Sequence, residues 1–307
     1  MAHQHSHRHD HGHHSTNNFD RAFIVSVALN AGFVVIEAIY GILANSLALL
    51  ADAGHNLSDV LGLLLAWGAS LLVRRQPTPR RTFGFRRSTI LAALINAILL
   101  LIACGGIGWE AIQRFRTPNE VAGQTVIVVA AIGIVINTVS ALMFVAGRKT
   151  DLNIRGAFLH LAADAAISLG VVLTGIAIVV TGWQWLDPAV SLGVMAVIVV
   201  GTWHLFQESF NLVMDAVPAG IEPLAVRTYL SERPGVVHVH DLHIWAMSTT
   251  EAALTVHLVT PNGHPGDEFL AELCHELHDH FGIEHATIQI ELGDSDRPCA
   301  LAPENVV

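Results

Sequence analysis

The sequence predicts a polytopic α-helical membrane protein with six transmembrane helices, followed by a small cytoplasmic α+β domain. Three observations predict it. Of 307 residues, 52% are hydrophobic and only 14% are charged, and the mean hydropathy is +0.51, which is too apolar for a soluble globular chain of this length. Six stretches, at 19–43, 48–73, 88–113, 122–146, 157–181 and 186–206, offer the roughly 20 apolar residues that a helix needs to cross a bilayer. After the last of them the composition turns polar and mixed as far as residue 293.

The first element, residues 1–18, carries His3, His5, His7, His9, His11, His13 and His14 among Gln, Ser, Arg, Asp and Gly. Such a tract reads as disordered and able to chelate; an expression tag would be an uninterrupted His run, and here other residues alternate. No apolar run precedes residue 19, so the first hydrophobic segment is expected to direct insertion without a cleavable signal peptide. Residues 19–210 then form the six-helix domain. The loop between its second and third spans carries Arg74, Arg75, Arg80, Arg81, Arg86 and Arg87, and the loop between its fourth and fifth carries Arg148, Lys149 and Arg155, whereas the loops near Asn45 and Gly182 carry no basic residue. The positive-inside rule therefore places both termini in the cytoplasm. Lys149 is the only lysine among the 16 basic residues, which with the compact loops points to a bacterial inner (plasma) membrane.

Residues 211–293 form the second domain. Within it 223–232 reads as a helix, 236–245 and 252–260 alternate as strands, 266–281 is an amphipathic helix and 285–292 a last strand. This α-β-β-α-β order predicts two layers, ferredoxin-like or metallochaperone-like. Residues 294–307, with two prolines and several charges, read as a disordered tail. Cys104, Cys274 and Cys299 are scattered without a CxxC pair, suggesting neither a disulfide nor a thiolate metal site. The net charge of −10 suits cations as partners and argues against nucleic acid. No GxxxxGKS-type phosphate loop occurs, so no nucleotide partner is expected.

The chemistry centres on one pattern used twice, His55-x-x-x-Asp59 and His160-x-x-x-Asp164, each inside a predicted span. The i, i+4 spacing puts both side chains on one helix face. Ionisable groups at that depth are costly unless they line a cavity, pair or hold an ion. Two such helices facing each other would present two neutral imidazoles and two carboxylates, a tetrahedral set that leaves Zn2+ formally neutralised. Imidazole moves preference from magnesium, calcium or manganese toward zinc, cobalt, nickel or copper, and the lack of thiolate argues against copper(I). Protons compete with metal for these ligands near neutral pH, which offers metal–proton exchange. The blander alternative is that each pair only makes an intramembrane His–Asp hydrogen bond. Its duplication, beside Ala51, Ala53, Gly54, Ala162, Ala163 and Ala165 that allow close helix approach, argues for a shared site. Of the other polar residues in the spans, Asn30, Asn96 and Asn137 read as glue between helices, Glu37 could line the pathway, Glu110 and Asp187 lie near span ends where water reaches them, and Asn56 reads as support for the ligand beside it.

Residues 46–60, SLALLADAGHNLSDV, and 160–172, HLAADAAISLGVV, resemble the signature segments of the cation diffusion facilitator family in its zinc transporter branch, and the likeness runs over 19–292. The resemblance implies a homodimeric exporter that moves zinc out of the cytoplasm in exchange for H+ by alternating access, serving metal homeostasis or resistance, and no enzyme. It implies His55, Asp59, His160 and Asp164 as the transport-site ligands. His at position 55 is similar to zinc-preferring members, with Cd2+ or Co2+ tolerated. Some bacterial relatives hold a further ion in the loop after the second span, but here 74–87 contains no acid, His or Cys.

In the second domain VVHVHDLHIW, 236–245, puts His238 and His240 on one strand face, His257 on the strand expected to pair with it, and Glu291 at the end of the last. This resembles the family's cytosolic metal site, and implies His240, His257 and Glu291 as ligands of a regulatory ion that draws two domains together. Gln289 stands where some relatives have a further His; His285, His243 and His238 are possible substitutes. The HELHDH run fails as a protease motif because Asp279 occupies the required His position, so His275, His278 and His280 read as a solvated helix face. Two other functions compete. A membrane metal sensor signalling through the cytoplasmic domain would keep the soluble ligands but tolerate loss of Asp59; an intramembrane metalloenzyme would need an open coordination position that two His and two Asp do not leave.

Overall fold

A computed structural model describes residues 16–117, 119–145, 152–293 and 299–302. The His tract at residues 3–14, together with Arg148 and Lys149, lies outside the described residues. The elements run α1 (Thr16–Leu43), α2 (Leu47–Val73), α3 (Ser88–Arg116), α4 (Gly123–Phe144), α5 (Leu152–Thr181), α6 (Leu186–Val213), α7 (Pro223–Ser231), β1 (His238–Ala246), β2 (Ala252–Val259), α8 (Asp267–Phe281) and β3 (Ile283–Glu291). Among the described residues α1 to α6 are the helices long and apolar enough to cross a membrane, and the chain is a multi-pass integral membrane protein. α6 continues to Val213, beyond the apolar stretch that ends at 206, because Gln207 and Glu208 are good helix formers and no Gly or Pro interrupts them. Hydropathy marks where a span ends, not where its helix does.

The chain divides into two compact units, residues 1–61 with 99–201, and 62–98 with 202–307. The core of the first is built from Phe33 of α1, Ala48 and Leu49 of α2, Val126 and Ala130 of α4, and Val171 and Ile178 of α5. α4 and α5 approach through glycine. A Cβ on Gly175 would stand 2.8 Å from Ile127 Cγ1 and 3.1 Å from the Gly123 carbonyl oxygen, so only a hydrogen fits there. The outward faces carry Ile102, Val135, Leu142, Val180 and Val200, each more than half exposed, as suits hydrocarbon rather than water.

Asp187, in the first turn of α6, departs from its expected place in water. It is fully buried, and its carboxylate accepts hydrogen bonds from Ser46 Oγ at 2.5 Å, the Leu47 amide at 2.7 Å and the Ala48 amide at 3.3 Å. The unpaired amides that begin α2 draw it in. Glu110 is half-exposed at the side chain, within reach of water as expected, and pairs with Arg114 at 3.1 Å. Neither Asn30 nor Asn137 joins one helix to another. Asn30 donates to the Ser26 carbonyl of its own helix at 2.9 Å, the nearer acceptor, and buried Asn137 has no hydrogen-bond partner.

In the second unit a three-stranded sheet of order β1-β2-β3 pairs β1 with β2 antiparallel and β2 with β3 parallel. Val226 and Leu230 of α7, Leu273 and Leu277 of α8, and Leu254, Leu258 and Ile283 of the strands make its core. Pro223 starts α7, where its missing N–H costs nothing, and Gly282 ends α8 at φ 67°, the left-handed cap that glycine supplies most easily. The register of β1 against β2 shifts between His240 and His243, and Asp241 in between sits at φ 49°. This is a bulge, and it interrupts the simple alternation expected of the strand. Arg86 donates to Glu251 at 2.5 Å and Arg87 pairs with Asp215, fastening the end of the arginine-rich loop within the same unit.

Candidate metal centres

The two repeated motifs lie on α2 and α5, and each belongs to a longer polar stripe. On α2, Asp52 stands one turn before His55 and Asp59 one turn after it; on α5, His160, Asp164 and Ser168 follow at successive turns. Ser168 Oγ donates to Asp52 Oδ2 at 2.9 Å, with both residues fully buried. That bond fixes the register of α5 against α2, so the remaining members of each stripe face each other.

The consequence is a four-cornered cluster. His55 Nε2 lies 3.7 Å from Asp59 Oδ2 and 3.3 Å from Asp164 Oδ1, and His160 Nε2 lies 3.2 Å from Asp59 Oδ2 and 3.6 Å from Asp164 Oδ2. One ligand atom from each lies within 4.8 Å of all the others. Donors held tetrahedrally about 2.0–2.2 Å from one ion stand roughly 3.3–3.6 Å apart, so the spacing fits a small divalent cation. The cluster is open on one side: the Asp164 side chain is 4% exposed and that of His160 46%.

Asn56 does not support the ligands as its neighbourhood suggested. Its side-chain amide turns to α1 and donates to Glu37 Oε2 at 3.2 Å. The supporting contact is the Ser168–Asp52 hydrogen bond, which the reading of the motifs missed. Its signal was present in the sequence, since Asp52 precedes His55 by three positions and Ser168 follows Asp164 by four.

A second cluster forms in the α+β domain. The strand registers place His240 opposite His257 and His257 opposite Gln289. His240 Nε2 lies 3.4 Å from Glu291 Oε2, and His257 Nδ1 lies 2.9 Å from Glu291 Oε1. The three residues expected as ligands are thus brought together. Gln289, where some relatives have His, donates its amide to Glu291 at 2.9 Å. The other histidines stand outside this group: His238 stacks on His240 with ring centroids 5.5 Å apart, His243 bonds Asp241 at 3.0 Å, and His285 meets the edge of Phe83. His275, His278 and His280 are exposed on α8 and pair with Asp279 and Glu276.

The fourth member comes from the tail. Cys299 Sγ lies 3.6 Å from His257 Nδ1, and His240, His257, Glu291 and Cys299 offer ligand atoms all within 4.8 Å of one another. The scattered cysteines gave no sign of this neighbourhood; a single Cys beyond the last strand has no spacing partner to reveal it. Burial pushes the Glu291 carboxyl up, but hydrogen bonds with Cys299 and Gln289 and the nearby His240 and His257 outweigh it and hold the group below its usual range. A backbone hydrogen bond at Leu301 favours the Cys299 thiolate, but burial and the Glu291 carboxylate outweigh that and raise the thiol above its usual range.

Comparison with known proteins agrees with this architecture. Residues 23–214 match the model of the cation efflux transmembrane domain, and residues 218–292 that of the cation efflux protein cytoplasmic domain. The chain is 38% identical to the zinc transporter ZitB of Escherichia coli, over 97% of this chain and 94% of that protein. It is 37% identical to the metal cation efflux system protein CzcD of Cupriavidus metallidurans, over 92% and 89%, and 36% identical to a cadmium, cobalt and zinc/H(+)-K(+) antiporter of Bacillus subtilis, over 91% of each. These relatives are named as transporters and efflux proteins rather than enzymes. A solved structure of the metal-bound C-terminal domain of the CzcD transporter covers 24% of this chain and all of its own, at 44% identity and a TM-score of 0.22. With six membrane helices, a matched C-terminal domain and relatives alike over nearly its whole length, the chain belongs to the cation efflux family, the cation diffusion facilitators, and is a cation efflux transporter.

Proposed function

We propose that this protein exports Zn2+ from the cytoplasm in exchange for H+, by alternating access through a site made of His55, Asp59, His160 and Asp164, with Cd2+ and Co2+ as further substrates. The observation that carries the reading is the cluster itself, four ligand atoms within 4.8 Å in helices otherwise apolar enough to span a membrane. Two imidazoles and two carboxylates balance a divalent charge and select zinc-like ions over oxygen-preferring ones. A ligand must shed its proton to bind metal, so loading on one side and release on the other carry protons the opposite way. The names of the zinc, cadmium and cobalt transporters to which the chain is similar support the substrate, and that of the antiporter supports the exchange.

The same reading assigns residues 1–18 to a cytoplasmic chelating segment, 19–210 to transport, 211–293 to a cytoplasmic domain and 294–307 to its tail, in a homodimer of the bacterial inner membrane. His240, His257 and Glu291 hold a regulatory ion there. The fastening of Arg86 and Arg87 to Glu251 and Asp215 supports a common, cytoplasmic side for the loop and the domain.

The test is uptake into proteoliposomes carrying a zinc dye and a pH dye under an imposed pH gradient. Wild type admits zinc as protons leave, and Asp59→Ala loses both fluxes. Equal flux through Asp59→Ala would remove the transport site and leave a membrane sensor as the better reading.

A further inference from the structure

We infer that Cys299 closes the cytoplasmic centre with a sulfur ligand, making it a site of two histidines, one glutamate and one cysteine for a soft or borderline divalent cation, Zn2+ or Cd2+. The inference rests on the reading of His240, His257 and Glu291 as a metal centre and names what completes it.

Three observations point to a ligand here. His240 is 3% exposed, and neither of its ring nitrogens has a hydrogen-bond partner. A buried imidazole in that state forfeits the desolvation of two polar atoms, which an ion at Nε2 would offset. His257 is held between two sets of acceptors: Nε2 faces Asp241 Oδ2 at 3.4 Å, while Nδ1 faces Glu291 and Cys299. A proton on Nε2 directed at Asp241 leaves the Nδ1 lone pair toward the cluster, the arrangement in which a carboxylate orients a metal-bound histidine. Asp241 reaches that place through the β1 bulge at φ 49°, a conformation that costs a non-glycine residue energy and that persists where surrounding structure requires it. Finally, Cys299 brings its sulfur to within 3.6 Å of the same Nδ1.

The ligand set decides the ion. Two imidazoles, a carboxylate and a thiolate are four donors of the kind tetrahedral zinc takes, and together they neutralise a divalent charge. Sulfur adds preference for Zn2+ and Cd2+ and disfavours Mg2+ and Mn2+. Loading forms a metal–sulfur bond and releases the thiol proton to solvent, with no change of oxidation state. It also ties the tail to β2 and β3, so the tail's position reports the metal.

The transport cluster contains no sulfur, which isolates the signal. Full-length protein in detergent is titrated with Cd2+ while the thiolate-to-metal charge-transfer absorption is recorded alongside the number of bound ions. The band is expected in wild type and in Cys274→Ser, which alters an exposed cysteine of α8, and is expected to vanish in Cys299→Ser with a loss of affinity at that centre of at least about tenfold. A band that survives Cys299→Ser overturns the proposal. So does a second bound ion, abolished by His257→Ala, that gives no band in wild type; that result leaves the His–Glu centre standing without its sulfur. A stoichiometry of one ion, indifferent to His257→Ala, removes the centre and the proposal together.

Discussion

The Ser168 hydroxyl and the Asp52 carboxylate illustrate how much a single buried hydrogen bond can position. They touch no ion in the proposed mechanism, yet they lie one turn from the ligands on each motif helix and join α2 to α5. Ser168→Ala would remove a hydrogen-bond donor from a buried carboxylate at a cost of about 1–3 kcal/mol. The expected outcome is a lower melting temperature and a metal affinity weaker by about 10–100-fold, read by calorimetry in detergent, with Ser168→Thr restoring much of both. An unchanged affinity would mean that the ligands hold their own geometry. At this scale the four-residue membrane cluster was legible because i, i+4 spacing is a local rule. Cys299 was not, because the fold rather than any spacing brings it to His257, and the inward turn of Asp187 was hidden because the amides it satisfies lie 140 and 139 residues away.

Helices and strands follow their own logic. The contact between α4 and α5 depends on hydrogen at Gly175, where a methyl would meet Ile127 and the Gly123 carbonyl, whereas nothing lies within 4 Å of the Cβ position at Gly170, five residues earlier and on another face of α5. Gly175→Ala should therefore destabilise by about 1–3 kcal/mol through overpacking, and Gly170→Ala should not destabilise by overpacking; thermal unfolding of the two variants side by side decides it. The β1 bulge permits a second test. Asp241→Asn keeps a side chain that tolerates the left-handed region but removes the charge facing His257, so the fold should persist while Zn2+ affinity at the cytoplasmic centre falls by about tenfold. The existence and order of the eleven elements among the described residues could be read from apolar run length for the spans and from periodicity for the rest. The bulge could not, since alternation of His238 and His240 continues up to the very residue where the register slips.

For the molecule as a whole, the proposed regulatory ion acts only if two copies meet. Spin labels placed at the exposed Cys274 of each copy, in a Cys104→Ala background labelled while Zn2+ protects Cys299 and then freed of excess label, should report a shorter inter-domain distance with Zn2+ than after chelation, and Glu291→Gln should abolish the difference. A distance indifferent to metal would confine the cytoplasmic ion to a structural role. The six spans and the α-β-β-α-β domain were readable from composition because each is a repeated local pattern. The division of the chain into two compact units within α2, α3 and α6 was not, because no change in hydropathy marks it.

The bonds from Asp187 to Ser46 and Leu47 join positions 141 and 140 residues apart in the chain. Their consequence belongs to biosynthesis. α2, which bears His55 and Asp59, emerges from the ribosome early, but the carboxylate that satisfies its first amides arrives only with the last span. A chain released before α6 carries both metal motifs and yet starts α2 with bare amides in an apolar setting. The transporter thereby ties the finish of the helix that bears His55 and Asp59 to the synthesis of its last span.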